Sequence, residues 1–187
     1  MLKLWQKKLK LKFSRDIFDI VQFGSSILEG RSPNDLDIAV IFNKIPLKEQ
    51  LNQAQNIKVQ IGKEAQNIPV HAKAFDLYSL FDKSNFSKNN IFFSGKSLIS
   101  GDYFCKRFGF TSKVQIRYSL KNLKKKDKVR FNYLINGRMG KYGLMKKYGG
   151  RLLCPGLIEV PPEFEEIFIV SMKEITNKLE VSRVLEG

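Results

Sequence analysis

The sequence contains few of the residues that hold zinc or build disulfide frameworks. Among its 187 residues it has one histidine, His71, and two cysteines, Cys105 and Cys154. Neither cysteine has the spacing of a zinc or redox motif, and one histidine is too few for the usual zinc ligand sets. The sequence therefore excludes a zinc site. Because nothing indicates disulfide bonding, we expect a reducing, cytoplasmic compartment.

Long apolar runs are also missing. Residues 38–42 and 91–93 are among the longest, far below the roughly 20 residues of a membrane-spanning helix, so we expect no membrane partner. Residues 1–13 are basic and amphipathic but lack the continuous apolar core of a signal peptide. Their apolar residues recur at helical spacing, which predicts a packing helix before the first strand.

Acidic residues are scarce in one part of the chain. The whole sequence has 33 Lys and Arg against 18 Asp and Glu, a net charge of +15. Residues 105–151 hold fifteen of the basic residues and one acid, Asp127, so this segment carries +14. Such asymmetry indicates a polyanionic partner, although lysines and arginines also serve simply to solvate exposed helices.

Aromatic residues are interleaved with these basic residues, which favours a nucleic acid as the partner. A basic surface binds the phosphate backbone of DNA or RNA, and aromatic side chains stack on bases. We therefore predict salt-dependent, largely sequence-independent nucleic-acid binding. The candidate contact residues are Lys113, Arg117, Lys121, Lys124, Lys125, Lys126, Lys128, Arg130, Arg138, Lys141, Lys146 and Lys147.

A second pattern indicates a metal site. Gly24-Ser25 ends one apolar run, and Asp35-Leu36-Asp37 opens the next after nine intervening residues. On a strand, Asp35 and Asp37 share one face, where they repel each other unless a cation lies between them. Mg²⁺ commonly uses one or two carboxylates plus substrate phosphates, so the pair predicts a Mg²⁺ or Mn²⁺ site.

Gly24 and Ser25 add a phosphate cradle to this site. Glycine lets the backbone approach a phosphate closely, and Ser25 supplies a hydroxyl and an N–H at a helix start. The alternative interpretation is a turn followed by two solvent-exposed aspartates on an edge strand. It is disfavoured, because aspartate is depleted in strands and two on one face need a reason.

Residues 23–40, which contain both parts of this pattern, resemble the signature of the nucleotidyltransferase superfamily typified by DNA polymerase beta. The chain is similar in size to the minimal nucleotidyltransferases of archaea and bacteria, and the resemblance covers roughly residues 1–100. It implies an α+β fold in which helices flank a mixed sheet. It also implies that Gly24 and Ser25 hold a nucleoside triphosphate while Asp35 and Asp37 bind Mg²⁺, for in-line transfer of a nucleoside monophosphate to a hydroxyl.

The third carboxylate of the family pattern is missing. Members usually place it on a later strand, and here that position falls on His71, within residues 70–76. Asp76 is the nearest acid but lies on the opposite face of an extended strand. Either Asp76 completes the site through a shifted register, or His71 has replaced the acid. A neutral imidazole can act as a base, although it binds Mg²⁺ poorly and a single histidine is more often structural.

The hydrophobic pattern predicts two parts, residues 1–100 and 101–187. In the first, strands are predicted over residues 16–23, 36–42 and 69–75, with a helix over 47–65. The second is predicted to be a small basic module with helices over 114–123, 128–135 and 141–148, a β-hairpin around Pro155-Gly156 and a final helix over 163–179. This order of elements is similar to a winged helix-turn-helix.

Three functions are compatible with these features. The first is an Mg²⁺-dependent nucleotidyltransferase whose basic module holds a nucleic-acid acceptor. The second is a non-catalytic nucleic-acid-binding protein that retains the nucleotidyltransferase fold. The third is nucleotidyl transfer to a protein, as in the antitoxins of this family, which does not explain the charge of residues 105–151. The sequence leaves the nucleotide, the acceptor and the oligomeric state open.

Overall fold

The computed structural model describes residues 3–7, 9–30, 32–85 and 87–187. The chain divides into two compact units, Met1–Phe110 and Thr111–Gly187. The division lies ten residues after the boundary expected from the sequence. The intervening residues belong to the first unit because Phe104 and Phe108 pack against Phe18, with ring centroids 6.4 and 5.8 Å apart.

The first unit is built on a four-stranded mixed sheet in the order β3-β2-β1-β4. β1 is antiparallel to β2 and β4, and β2 is parallel to β3. The described strands and helices are β1 (Ile17–Phe23), β2 (Leu36–Phe42), α1 (Leu47–Glu64), β3 (Val70–Asp76), α2 (Leu77–Phe81), α3 (Lys88–Ser94) and β4 (Lys96–Ser97). The coarse prediction of an α+β fold with a mixed sheet is confirmed, and so are the predicted strands and α1.

Hydrophobic cores lie on both faces of this sheet, which explains why β1 and β2 are nearly continuous apolar runs. On one face, Ala54, Ile57 and Ile61 of α1 are buried at helical spacing against the strands. On the other, Val21 and Ile41 are buried in a cluster that also includes side chains of α2 and α3. Because β1 is antiparallel to β2 and β2 is parallel to β3, the end of β1 and the starts of β2 and β3 meet at one end of the sheet.

The helix predicted over residues 1–13 is wrong for the part of that segment that the structure describes. A short 3-10 turn, Leu4–Gln6, buries Leu4 and Trp5 in the core, and the described residues after it are not helical. Gln60 of α1 holds Lys12 instead: the Lys12 N–H donates to Gln60 Oε1 at 2.7 Å, and Gln60 Nε2 donates to the Lys12 carbonyl at 2.8 Å. Because the Lys12 N–H and carbonyl bond to Gln60, they do not form the hydrogen bonds of a helix.

The second unit is built on a four-stranded antiparallel sheet in the order β10-β5-β9-β8. A two-stranded hairpin, β6-β7, stands apart from that sheet. The elements are β5 (Thr111–Tyr118), α4 (Lys125–Asn136), β6 (Gly137–Arg138), β7 (Lys141–Tyr142), α5 (Leu144–Tyr148), β8 (Arg151–Cys154), β9 (Leu157–Val160), α6 (Glu165–Lys173) and β10 (Leu179–Glu186).

Two predictions for this unit are wrong, and the winged-helix order is wrong with them. A helix is expected over residues 114–123, but residues 114–118 belong to β5 (Thr111–Tyr118), whose Ser112, Val114 and Ile116 are buried at period two. The final helix ends at Lys173, and β10 follows it to pair along the whole of β5. The predictions of α4 and of the hairpin around Pro155-Gly156 are confirmed. The helix expected over 141–148 is confirmed only for Leu144–Tyr148, because Lys141–Tyr142 form β7.

Across the described residues, no helix combines the length and apolar character that crossing a membrane requires.

Candidate functional site

The two halves of the Gly24-Ser25…Asp35-x-Asp37 pattern meet across the β1–β2 pair. Phe23 is the register partner of Asp37, and the backbone leaves β1 at Gly24 with φ +76°. A Cβ at Gly24 would lie 2.8 Å from Asp37 Oδ2. The bare backbone of Gly24 therefore lies directly against one carboxylate of the pair.

The turn after β1 is fixed from inside the protein. It is a short 3-10 helix, Gly24–Ile27, in which Ser26 is buried. Gln22 Nε2 donates to Ser26 Oγ at 3.1 Å, and Ser26 Oγ donates to the Phe23 carbonyl at 3.0 Å. Ser25 is only half-buried, and no hydrogen bond to its hydroxyl occurs within the described residues. Its hydroxyl is available to a ligand.

Asp35 and Asp37 are electrostatically coupled, as strand alternation predicts. Both are half-buried, with Asp37 inside β2 and Asp35 just before it. Burial, followed by the negative charge of Asp35, raises the pKa of Asp37, while Lys73 and then His71 act in the opposite direction. A carboxylate that resists ionisation beside a second carboxylate is stabilised by a bound cation.

His71 lies beside the carboxylate pair. β3 runs parallel to β2 with His71 in register with Asp37, so both side chains point to one face. The distance between His71 Nε2 and Asp35 Oδ2 is 3.8 Å, and both side chains are about half exposed. His71 thus occupies the place where the family resemblance expects a third acid.

Asp76 does not join this group. It lies five residues further along β3, about 16 Å at the usual rise of a strand. Its side chain caps α2 by accepting the Ser79 N–H at 2.7 Å, and the Asp76 N–H donates to Ser79 Oγ at 3.0 Å. The Ser79 backbone hydrogen bond is the main reason why the pKa of Asp76 is lowered. The structure gives Asp76 a role in helix capping and not in the site.

Lys73 is a site residue that sequence reasoning missed. It lies two residues after His71 on the same face of β3, in register with Ala39, and it is exposed. Its ammonium lowers the pKa of Asp37 and is the larger of the two influences in that direction. The alternation of His71 and Lys73 was visible in the sequence, but only the β2–β3 register shows that both face Asp37.

The donor set fits a magnesium ion that is shared with a substrate. The described residues contain no group of three or more His, Cys, Asp or Glu arranged to hold a metal by themselves. Mg²⁺ usually keeps waters and binds one or two carboxylates together with substrate phosphates. Asp35 and Asp37 provide the carboxylates, and Gly24 brings its backbone close to Asp37, where a Cβ would clash with Oδ2.

The structure divides the predicted nucleic-acid-binding residues into two classes. Three of the twelve form ion pairs with acids of the second unit: Lys113 with Glu159 at 3.9 Å, Arg117 with Glu180 at 3.9 Å and Arg130 with Glu174 at 3.5 Å. These acids follow residue 151 in the sequence and fold back onto the basic segment. The charge of that segment is therefore partly neutralised in the folded unit.

The other nine candidates form no ion pair with any described residue: Lys121, Lys124, Lys125, Lys126, Lys128, Arg138, Lys141, Lys146 and Lys147. Five of them lie before α4 or in its first turns, and four lie on the β6-β7 hairpin and α5, beyond the other end of α4. In the second group, Lys146 Nζ lies 4.1 Å from the centroid of the Tyr142 ring.

No family model, curated protein or solved structure matches this chain. The nucleotidyltransferase resemblance of residues 23–40 therefore stays a prediction, to be judged on the chemistry of the site itself.

Proposed function

We propose that this protein is an Mg²⁺-dependent nucleotidyltransferase that transfers a nucleoside monophosphate from a nucleoside triphosphate to a hydroxyl group of a nucleic acid. One observation carries the proposal: the backbone of Gly24 lies against Asp37, so that a Cβ would be 2.8 Å from Oδ2, while burial and then the charge of Asp35 raise the pKa of Asp37. This places the turn after β1, with its bare backbone and the Ser25 hydroxyl, directly beside a carboxylate pair that favours a cation. The β3-β2-β1-β4 sheet is compatible with the nucleotidyltransferase fold, which we propose with the function.

The reaction exchanges one phosphorus–oxygen bond for another. The acceptor hydroxyl oxygen forms a bond to the α-phosphorus, the bond from the α-phosphorus to the bridging oxygen breaks, and pyrophosphate leaves. A bound Mg²⁺ supplies positive charge to the phosphates and to the leaving pyrophosphate. We assign Asp35 and Asp37 to holding that ion, and Gly24 and Ser25 to positioning the triphosphate by close backbone approach.

His71 and Lys73 have separate roles in this proposal. The hydroxyl proton of the acceptor must go to a base, and a neutral imidazole is the usual group for that task near neutral pH. We assign it to His71, with Asp35 3.8 Å away as the carboxylate that stabilises the imidazolium formed. Lys73 adds a fixed positive charge beside Asp37, which attracts the triphosphate.

A non-catalytic nucleic-acid-binding protein is the second candidate. The replacement of the third carboxylate by His71 favours it, because the site then has fewer acidic ligands for metal ions. Transfer to a protein acceptor is a weaker third candidate, since it gives no role to nine cations without acidic partners in the second unit.

Transfer of an α-labelled nucleotide tests the proposal. The protein is incubated with Mg²⁺, each of the four labelled triphosphates, and total RNA or single-stranded DNA. We expect label in nucleic acid, and a loss of about 100-fold or more in Asp37→Asn because the metal and phosphate positions depend on it. Asp76→Asn is the matched control, since asparagine also caps helices and Asp76 lies outside the site. Label in protein alone would support the third candidate, and no labelled product would contradict the proposal.

A further inference from the structure

A cleft in the second unit combines an apolar floor, amide groups and positive charge. It has a volume of about 560 Å³, within the usual range for small-ligand sites. One wall is α4, and the other is the segment after β5 together with the turn between β8 and β9. Leu120, Ile135, Leu152 and Pro155 supply the apolar surface. Leu152 is 58% exposed, so the cleft presents apolar surface that the unit itself does not cover.

The polar groups of the cleft are arranged for a ligand with a hydrogen-bonding edge. Asn136 Nδ2 donates to Asn132 Oδ1 at 2.6 Å. This bond leaves Asn132 Nδ2 as a donor and Asn136 Oδ1 as an acceptor, and neither forms another hydrogen bond within the described residues. A donor beside an acceptor is the pattern with which asparagine side chains bind base edges.

The charge of the cleft is of one sign. Lys121 and Lys128 line it, no acidic residue does, and neither lysine forms an ion pair within the described part of the chain. Lys124, Lys125 and Lys126 lie between them in the sequence, at the start of α4 and outside the cleft lining, together with one acid, Asp127. An anion that binds in the cleft therefore has further cations available for its next phosphates.

We propose that this cleft binds one unpaired nucleotide of a single-stranded nucleic acid. The base lies on the apolar floor with its edge against Asn132 and Asn136, and the adjoining phosphates contact Lys121 and Lys128. A base within a duplex does not enter such a cleft, because its Watson–Crick edge is already paired. The inference rests on the nucleic-acid partner of the proposed function, but it does not depend on the transfer reaction.

Base preference and salt dependence separate this cleft from a general basic surface. Fluorescence anisotropy is measured with labelled single-stranded homopolymer oligonucleotides of each base over a series of salt concentrations. We expect the wild-type protein to prefer one base, and Asn132→Leu/Asn136→Leu to weaken binding of that base about tenfold without changing the salt slope. Both asparagines are exposed and leucine favours helices, so this variant should fold.

Lys124→Gln/Lys126→Gln is the matched control outside the cleft. It should retain the base preference but lower the salt slope by about 1.4, the value for two phosphate contacts on a single strand. Equal binding of all bases by the wild type would overturn the inference, as would an unchanged preference in the asparagine variant. Full displacement of the strand by an equal concentration of one free nucleoside monophosphate would also overturn it, in favour of a mononucleotide site.

Failure of the cleft and failure of the proposed function give different results. Oligonucleotide binding and nucleotide transfer are therefore measured on the same preparations of the wild type and of Asn132→Leu/Asn136→Leu. Base-selective binding without nucleotide transfer would contradict the proposed function and leave the cleft intact. Nucleotide transfer without base selectivity would contradict the proposed cleft and leave the proposed function intact.

Discussion

Gly24 illustrates at the scale of one residue how the backbone and the site depend on each other. Its φ of +76° is costly for any residue with a Cβ, and a Cβ there would displace Asp37. Both consequences follow from the same atom, so they need a control that separates them. Gly109 provides it, with φ +82° and nothing within 4 Å of a Cβ.

Gly24→Ala and Gly109→Ala should therefore cause similar strain in the backbone but differ in their effect on nucleotide binding. We expect each substitution to lower the free energy of unfolding by about 1–2 kcal/mol, the cost of the left-handed conformation. Only Gly24→Ala should also weaken Mg²⁺–nucleotide binding, because only there does the new methyl group meet a carboxylate. Urea unfolding and calorimetric titration measure the two effects. Equal nucleotide affinity in both variants would contradict the proposed cradle.

Asp37 should destabilise the metal-free protein at neutral pH. Its pKa in the folded state is raised above the ordinary value of 3.8, so the folded protein holds this proton more tightly than the unfolded chain does. The resulting penalty is present above the raised pKa and is relieved as the pH falls through that pKa towards 3.8. A ligand-binding carboxylate that costs stability is common at functional sites.

Asp37→Asn should accordingly unfold at a higher temperature than the wild type in EDTA at pH 7. The gain should be less than about 1 kcal/mol, since the carboxyl group is only partly buried. It should disappear as the pH approaches 4, and Mg²⁺ with a triphosphate should stabilise the wild type alone. Thermal unfolding over this pH range is the measurement. A variant that is less stable than the wild type in EDTA would show that Asp37 has a structural role instead.

At the scale of elements, the local hydrophobic pattern was sufficient to predict a helix or a strand wherever only one periodicity fitted the segment. β1, β2, α1 and β3 could be predicted because apolar runs and helical spacing alternate between glycine and proline breaks. β5 was not, since Val114 and Tyr118 fit helical spacing while Val114 and Ile116 fit a strand. Pairing with β9 and β10, far along the chain, decides between these readings.

The candidate site, likewise, could be predicted only as far as its residues are close together in the sequence. Asp35, Asp37, Gly24 and Ser25 are close in sequence, and their meeting could be predicted from strand alternation and one turn. Lys73 could not be placed without the register of β2 and β3. The ion pairs of Lys113 and Arg117 likewise depend on acids from β9 and β10 that the sequence separates from them.

Alanine substitution at Gly62, inside α1, and at Gly143, between β7 and α5, should change the free energy of unfolding in opposite directions. Gly62 lies inside α1 with nothing near a Cβ, so Gly62→Ala should stabilise the first unit by about 0.5–1 kcal/mol. At Gly143, a Cβ would overlap the Ile135 carbonyl oxygen and the Gly137 nitrogen, both rigid backbone atoms. Gly143→Ala should therefore destabilise the second unit by about 1–3 kcal/mol.

Optical probes distinguish the two units in this experiment. The single tryptophan, Trp5, reports on the first unit, whereas circular dichroism reports on both. Gly62→Ala should shift the fluorescence transition to higher urea, and Gly143→Ala should shift a dichroism transition to lower urea. If Gly143→Ala has no effect on dichroism, the close packing of the β6-β7 hairpin against the end of α4 is wrong.

At the scale of the whole molecule, the distribution of charge between the two units agrees with the proposed function. The net charge is +15, and acids of the second unit form ion pairs with some of its cations, while nine of the candidate contact residues form no ion pair with any described residue. The first unit combines a carboxylate pair with His71 and Lys73 in a small site. Nucleotidyl transfer to nucleic acid requires a metal–nucleotide site and a polyanion surface, and we propose the first unit for the one and the second unit for the other.

Calorimetric titration of a nucleoside triphosphate, with and without Mg²⁺, tests the nucleotide site most directly. We predict saturable binding of one nucleotide per chain in Mg²⁺, little binding in EDTA, loss of binding in Asp35→Asn/Asp37→Asn, and unchanged binding in Asp76→Asn. Equal binding with and without the metal, or unchanged binding in Asp35→Asn/Asp37→Asn, would contradict the site.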